Sequence, residues 1–250
     1  MKVVIPMAGR GSRFTKVGVT GPKPLIEVAG KPMVQWTFES LARTIPDIKP
    51  SDYVFVFLEE QEREHGVAQK IKELVGNHDA KVILIPEVTE GAACTALIAA
   101  KTLDPEEEMV VCDCDQFFVC PQFAPLRAEA RKNDWGGLIP TYESTNPGAS
   151  YAEVGADGNV TRTAEKELIS THGAIGLYYF TKAQYFIDAA EAMIRKDIRT
   201  RNEFYMCPMY NEVIARGKIV RIVPADLWMT LGTPDDAKYF IEHVPDTYKK

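Results

Sequence analysis

Four short runs in the first half of the chain, Val3–Pro6, Tyr53–Leu58, Lys81–Pro86 and Met109–Cys112, are almost continuously apolar and rich in β-branched residues. A strand with one wet face alternates polar and apolar residues, whereas a strand covered on both faces does not. These runs therefore predict strands buried between two layers. Between them, Pro32–Arg43, Glu60–Val75 and Ala92–Lys101 carry apolar residues at three- and four-residue spacing, the period of a helix packed on one side. Strand and helix in repetition build right-handed crossover units on a mainly parallel sheet, so the expected class is α/β with three α/β/α layers.

The second half reads differently. Trp135–Tyr142 and Ala174–Phe180 predict strands, and Tyr151–Val154 and Val160–Glu165 flank the turn formers Asp157-Gly158-Asn159, a hairpin signal. Ala183–Arg195 and Pro208–Ala215 predict helices and Lys218–Val223 a strand. A last helix, Pro234–Glu242, is opened by Thr233 as N-cap and proline in its first turn. No linker or repeat interrupts the 250 residues. The expectation is one domain over 1–250, with a nucleotide-binding half at 1–134 and an acceptor-binding half with a small β-hairpin lobe at 135–250.

Bulk properties exclude some partners. A net charge of −6 lacks the basic face that a nucleic-acid backbone requires. No apolar run approaches the roughly 18 residues of a membrane helix. The apolar N-terminal run is too short for a signal peptide and reads as a buried first strand. Five irregularly spaced cysteines suit reduced thiols in a cytoplasmic protein better than disulfides or zinc. Oligomeric state is not legible, and a homo-oligomer stays open.

The chemistry concentrates after the first strand, in Ala8-Gly9-Arg10-Gly11-Ser12-Arg13. Two glycines let the backbone turn sharply and bring N–H groups against phosphate oxygens, and Arg13 adds a permanently charged fork. Farther on, Pro22-Lys23-Pro24-Leu25 brackets one lysine with two prolines, which stiffens the backbone that aims its ammonium. At the end of the fourth strand, Asp113-Cys114-Asp115-Gln116 sets two carboxylates where an open parallel sheet holds its ligands.

Gly-x-Gly-x-Arg, Pro-Lys-Pro-Leu and the following Ile26–Met33 together resemble the sugar-phosphate nucleotidyltransferases, or nucleotide-sugar pyrophosphorylases. The resemblance continues through Glu90–Ala96, Asp113–Gln116, Glu165-Lys166 with Gly173–Phe180, and Trp228–Pro234. It implies a Rossmann-like fold, condensation of a nucleoside triphosphate with a sugar 1-phosphate or similar small phosphorylated acceptor into a nucleotide-diphospho-sugar, release of pyrophosphate, a requirement for magnesium, and a place in nucleotide-sugar and polysaccharide biosynthesis. By the same resemblance Arg13 and Lys23 are the catalytic basic residues. Ala8, Gly9, Arg10, Gly11, Ser12, Pro86, Gly91 and Ala92 fall in the nucleotide-binding positions, Glu165 and Lys166 bind the acceptor, and Asp115 then Asp113 hold the metal.

Two positions depart from the family. Thr230 stands where many relatives carry a second metal-binding aspartate, and threonine is a poorer ligand for a hard cation. Either Asp115 and Asp113 hold the ion, or Asp226 reaches in from earlier in the chain, or catalysis is slow. The glutamine that thymidylyltransferases use to read a pyrimidine falls on Pro86, which has no side-chain donor or acceptor. The base is therefore open, with cytidine suggested by Glu87 or Glu90 as acceptors for its amine. Alternatives are a cytidylyltransferase with a non-sugar acceptor, a metal-dependent glycosyltransferase using Asp113-x-Asp115, and a non-catalytic nucleotide-binding subunit. Phosphocholine and phosphonates are further acceptors, and Trp135, Tyr142, Tyr151, Tyr205 and Trp228 are aromatic residues that could line their pocket.

Overall fold

The computed structural model describes residues 1–249. Its first half runs through β1 (Lys2–Pro6), α1 (Ser12–Thr15), a small hairpin of β2 (Glu27–Val28) and β3 (Lys31–Pro32), and α2 (Met33–Thr44). It continues with β4 (Tyr53–Leu58), α3 (Glu59–His65), α4 (Val67–Val75), β5 (Lys81–Ile85), α5 (Ala92–Ala100) and β6 (Met109–Cys112). Strands β6, β1, β4 and β5 are parallel neighbours in that order, as the apolar runs predicted.

Alternation within β4 divides the core. Val54, Val56 and Leu58 face a cluster with α5, while Tyr53, Phe55 and Phe57 face one containing residues of α2 and α4. Two expectations change here. The helix expected over Glu60–Val75 is two helices, because Gly66 takes the left-handed conformation (φ 59°) that ends α3. And β5 is an edge strand with Lys81 and Leu84 exposed, so only part of its apolar run is covered on both faces.

The second half supplies β7 (Gln116–Val119), α6 (Phe123–Lys132), β8 (Gly137–Glu143), β9 (Ser150–Val154), β10 (Val160–Glu165), β11 (His172–Ala174) and β12 (Leu177–Phe180). Then come α7 (Ala183–Arg195), α8 (Tyr210–Ile214), β13 (Val220–Pro224), β14 (Leu227–Thr230) and α9 (Pro234–His243). The sheet continues past β6 through antiparallel β12, β8, β11, β9 and β10, with β13 parallel to β8. The parallel part thus belongs mostly to the first half, and the hairpin β9–β10 closes the far end as predicted.

The strand expected over Ala174–Phe180 is interrupted at Gly176 (φ 80°), where a Cβ would lie 2.6 Å from Asp113 Oδ2. Strands β7 and β14 escaped the sequence reading. They pair antiparallel, with Thr230 opposite Gln116 and Leu227 opposite Val119. A third apolar cluster of Phe14, Trp36, Phe117 and Phe240 ties this pair to α9. All five cysteines are free, four of them buried. No helix among the described residues is long and apolar enough to cross a membrane.

Candidate active site

A cleft of about 850 Å³ opens over the C-terminal ends of β1 and β6. The chain leaves β1 toward β4 on one side and reaches β6 on the other, the switch point at which open α/β sheets bind ligands.

One wall is the loop after β1. Ala8 and Gly9 line the cleft, and a side chain at Gly9 would meet no protein atom within 4 Å. Gly11 does different work. Its φ of 63° is left-handed, and a Cβ there would lie 3.0 Å from Lys23 Cβ, so the glycine lets the lysine stem pass. Arg13 lines the cleft with its side chain in reach of solvent. Arg10 turns away and pairs with Glu60 at 3.2 Å on the surface, and Ser12 is exposed at the start of α1, outside the cleft lining.

Lys23 begins a single 3-10 turn after Pro22, and its ammonium donates to Asp115. Burial draws the ammonium down. The Asp115 carboxylate, helped by Cys114 and Asp113, more than offsets this and holds Lys23 above the ordinary lysine value. Gln116 Nε2 donates to the other Asp115 oxygen at 2.9 Å. Asp113 also lines the cleft, and its carboxylate accepts no hydrogen bond among the described residues. Burial pushes it well up, the Asp115 charge adds to this, and Lys23 opposes it.

These residues fit a hard cation. Asp113 lacks a donor, Asp115 shares one ammonium, and magnesium usually takes one or two carboxylates and completes its shell with phosphate oxygens and water. Among the described residues no group of three or more Asp, Glu, His or Cys side chains forms a closed metal cage. The expectation for Asp226 needs correction. It lies at the other end of β14 from Thr230, its N–H donates to Val119 O at 2.9 Å, and it does not line the cleft. Four strand residues span about 13 Å, too far for an aspartate to reach back. The carboxylate that does arrive is one the sequence reading missed, Asp236 in the first turn of α9. A Cβ on Gly232 would lie 3.2 Å from Thr230 Oγ1 and 3.5 Å from both Asp115 Oδ2 and Asp236 Oδ2. Thr233 caps α9 as expected, accepting from Asp236 N at 3.1 Å and donating to its carboxylate at 2.7 Å.

On the second wall, Val88, Thr89, Gly91, Ala92 and Thr95 line the cleft. Pro86 does not. It is exposed beyond the end of β5. Nor do Glu87 and Glu90, the acceptors suggested for cytidine, since Glu87 is exposed and Glu90 pairs with Arg199 at 2.5 Å. Polar groups on this wall come instead from Thr89, whose hydroxyl donates to Gly91 O at 2.9 Å and lies 2.6 Å from that of Thr95. Gly91 has φ 145° and ψ 168°, backbone available only to glycine, and a Cβ there would lie 2.4 Å from Phe204 O. The protein's own backbone therefore demands this glycine.

Glu165 and Lys166 line the opposite end. Neighbours on a strand point to opposite faces, yet both reach the cleft because Lys166 has a left-handed φ of 56°, held by its N–H bond to Ala149 O at 2.8 Å. Burial raises the Glu165 carboxyl, opposed by a hydrogen bond from Ser150 and by Lys166, 3.7 Å away. Of the aromatic residues singled out, Trp228 and Tyr142 stack at 3.9 Å as one wall and Tyr205 touches Lys166, while Trp135 and Tyr151 belong to the core. Asn146, Ser150 and Glu203 complete this end. No motif marks them, because Asn146 and Glu203 come from loops and Ser150 from the start of β9, and their approach to one another is tertiary.

A family model described as nucleotidyl transferase matches residues 2–245. The low-salt glycan biosynthesis nucleotidyltransferase Agl11 of Haloferax volcanii is 27% identical over 244 residues, 94% of this chain and 64% of that protein. The chain thus spans less than two thirds of the length of that curated relative. Among solved structures, the nucleoside-diphosphate-sugar pyrophosphorylase of Vibrio cholerae RC9 superposes with a TM-score of 0.79 at 25% identity, covering 96% of this chain and 100% of that one. The inositol-1-phosphate CTP transferase of T. maritima gives 0.70 at 15% identity, covering 97% and 96%.

Proposed function

Because this chain belongs to the nucleotidyl transferase family, we propose that it transfers a nucleotidyl group from a nucleoside triphosphate to the phosphate of a sugar 1-phosphate or similar small acceptor, releasing pyrophosphate. The observation that carries this reading is the Lys23–Asp115 pair on the cleft floor, between the glycine loop and Glu165-Lys166. A cation and a carboxylate beside the glycine loop, in the cleft that Glu165 and Lys166 also line, suit the α-phosphorus of a triphosphate bound there.

An acceptor phosphate is already ionised at neutral pH, so the reaction needs no general base and no covalent enzyme intermediate. An acceptor oxygen bonds to the α-phosphorus as the bond from that phosphorus to the bridging oxygen breaks, and pyrophosphate leaves with the electron pair. The protein's contribution is alignment and charge neutralisation. Arg13 and the loop backbone hold the β and γ phosphates, Lys23 neutralises charge that builds on the α-phosphate, and Lys166 grips the acceptor phosphate. Glu165 accepts from an acceptor hydroxyl. Asp115 and Asp113 are the residues that would hold magnesium, which when bound supplies further charge neutralisation. Among the described residues no carboxylate of the 88–95 wall lines the cleft, so base choice on that wall falls to Thr89, Thr95 and backbone groups.

A grid of the common nucleoside triphosphates against hexose 1-phosphates, inositol 1-phosphate and phosphocholine tests this, with pyrophosphate release and phosphorus NMR as readouts. We expect one acceptor to give pyrophosphate and a diphosphate-linked product, and chelation to stop it. Tight nucleotide binding with no pyrophosphate on any acceptor would leave the chain a binding protein and end this reading.

A further inference from the structure

Lys166 faces a conflict. Its ammonium lies 3.7 Å from the Glu165 carboxylate, which competes with an acceptor phosphate for it, and a lysine stem has four freely turning bonds. On its other side stands Tyr205. Lys166 Nζ is 3.8 Å from the centroid of the Tyr205 ring and donates to the Tyr205 hydroxyl. The hydroxyl takes only one of the three N–H groups, and the ring that carries it limits where the ammonium can swing, so donors remain for a phosphate.

Tyr205 is itself held by a strap that reaches the other wall. Thr200 and Glu203 exchange two backbone hydrogen bonds of 3.0 Å around Arg201 (φ 47°) and Asn202 (φ 67°), the tight turn of a two-residue hairpin. Phe204 N donates to Glu90 O at 2.8 Å, and Ala93 N donates to Phe204 O at 3.1 Å. Arg199 pairs with Glu90 and lies 4.1 Å from the centroid of the Phe204 ring. Phe204 is thus bonded to the Glu90–Ala93 loop while its neighbour Tyr205 holds Lys166.

We propose that Tyr205 is a positioning residue that aims the Lys166 ammonium at the acceptor phosphate, with Phe204 keeping that aim in step with the loop around Gly91. This rests on the nucleotidyltransfer reading for the role of Lys166, but the contact itself can be tested without turnover.

Brief acetylation with acetic anhydride, followed by peptide mass spectrometry, measures how available Lys166 is. In Tyr205→Leu its labelling rate relative to exposed Lys70 should rise at least about fivefold, since the freed amine gains access and motion. Kinetics then separate aim from chemistry. Tyr205→Phe, which keeps the ring, should raise the acceptor KM by about 5-fold and Tyr205→Leu by about 50-fold, with kcat and nucleotide KM within about twofold. Because Tyr205 acts through Lys166, the double variant Lys166→Met/Tyr205→Leu should be no worse than Lys166→Met alone. Unchanged labelling in Tyr205→Leu, or losses that multiply in the double variant, would overturn the proposal. A wild-type protein silent on every acceptor would instead sink the nucleotidyltransfer reading, while the labelling still decides whether Tyr205 holds Lys166.

Discussion

Lys23 and Asp115, 92 positions apart in the sequence, form one ion pair on the floor of the cleft. The lysine comes from a proline-bracketed turn and the aspartate from the turn between β6 and β7, so the pair joins the second motif of the chain to the end of a central strand. Replacing Lys23 by alanine should lower turnover by about a hundred- to a thousand-fold, the usual loss for a charge-stabilising group. Asp115 keeps its bond from Gln116 and opens to water, so the melting temperature should shift by only about 2–4 °C. Near-normal pyrophosphate release from Lys23→Ala would remove Lys23 from the mechanism.

Asp115 and Asp226 should separate cleanly under the same substitution. Asp115→Asn should reduce turnover at least about a hundredfold and raise the magnesium concentration needed for half activity. Asp226→Asn should leave both within about twofold, because its position at the far end of β14 keeps it out of the cleft. A magnesium requirement that shifts in Asp226→Asn and not in Asp115→Asn would reverse the assignment.

Gly91→Ala puts a methyl group against the Phe204 carbonyl and forces a backbone conformation that only glycine adopts. A cost of about 2–3 kcal/mol follows, or a melting temperature lower by about 5–10 °C. The Glu90–Ala93 loop and the 199–205 strap share this contact, so nucleotide affinity and acceptor KM should both worsen. Worsening of the nucleotide term alone would mean that the strap does not follow the loop.

Away from the cleft, Arg127 is buried between two carboxylates, with Nε 2.6 Å from Glu108 and a terminal nitrogen 2.7 Å from Asp47. Arg127→Met leaves the largely buried Glu108 charge, among the described residues, with only Arg131 and the Tyr179 hydroxyl, and should cost about 3 kcal/mol in chemical denaturation.

The same guanidinium gives stability an acid dependence. Its hydrogen bond, with burial opposing and its charge adding to it, holds Asp47 below the ordinary carboxylate value. A depressed carboxylate contributes fully above its unfolded value of about 3.9 and loses that contribution as pH falls through the lower folded value. Melting curves of the wild type should therefore fall more steeply below about pH 4 than those of Arg127→Met. Parallel curves would show that Asp47 titrates normally.

How much of this was readable depends on whether a signal is local. The apolar runs announced the parallel half, and Thr233-Pro234 announced the start of α9, because burial and capping leave their mark within a few residues. Gly66 and Gly176 broke a helix and a strand that periodicity had run together, and a single glycine weighs little in a window of apolar residues. In the site, Lys23 and Asp115 were legible from motif and strand end. Asp236, Glu203 and the role of Tyr205 were not, because their approach depends on α9 and on a strap folding back over α5. Asp226 misled for the opposite reason. It is near Thr230 in sequence, but an extended strand carries it away.

Strand β6 is hydrogen-bonded to β1 on one side and to β12 on the other, so the walls of the cleft are joined through one continuous sheet. A ruler of that kind does not bend at its middle. The distance from the glycine loop to the hairpin β9–β10 is then set by strand spacing, and accommodation of substrates falls to the connecting segments at 144–149 and 199–205 that border the cleft. Redesign of this scaffold for a different acceptor should accordingly succeed by exchanging those two segments together while the sheet is kept, and should fail when either is exchanged alone.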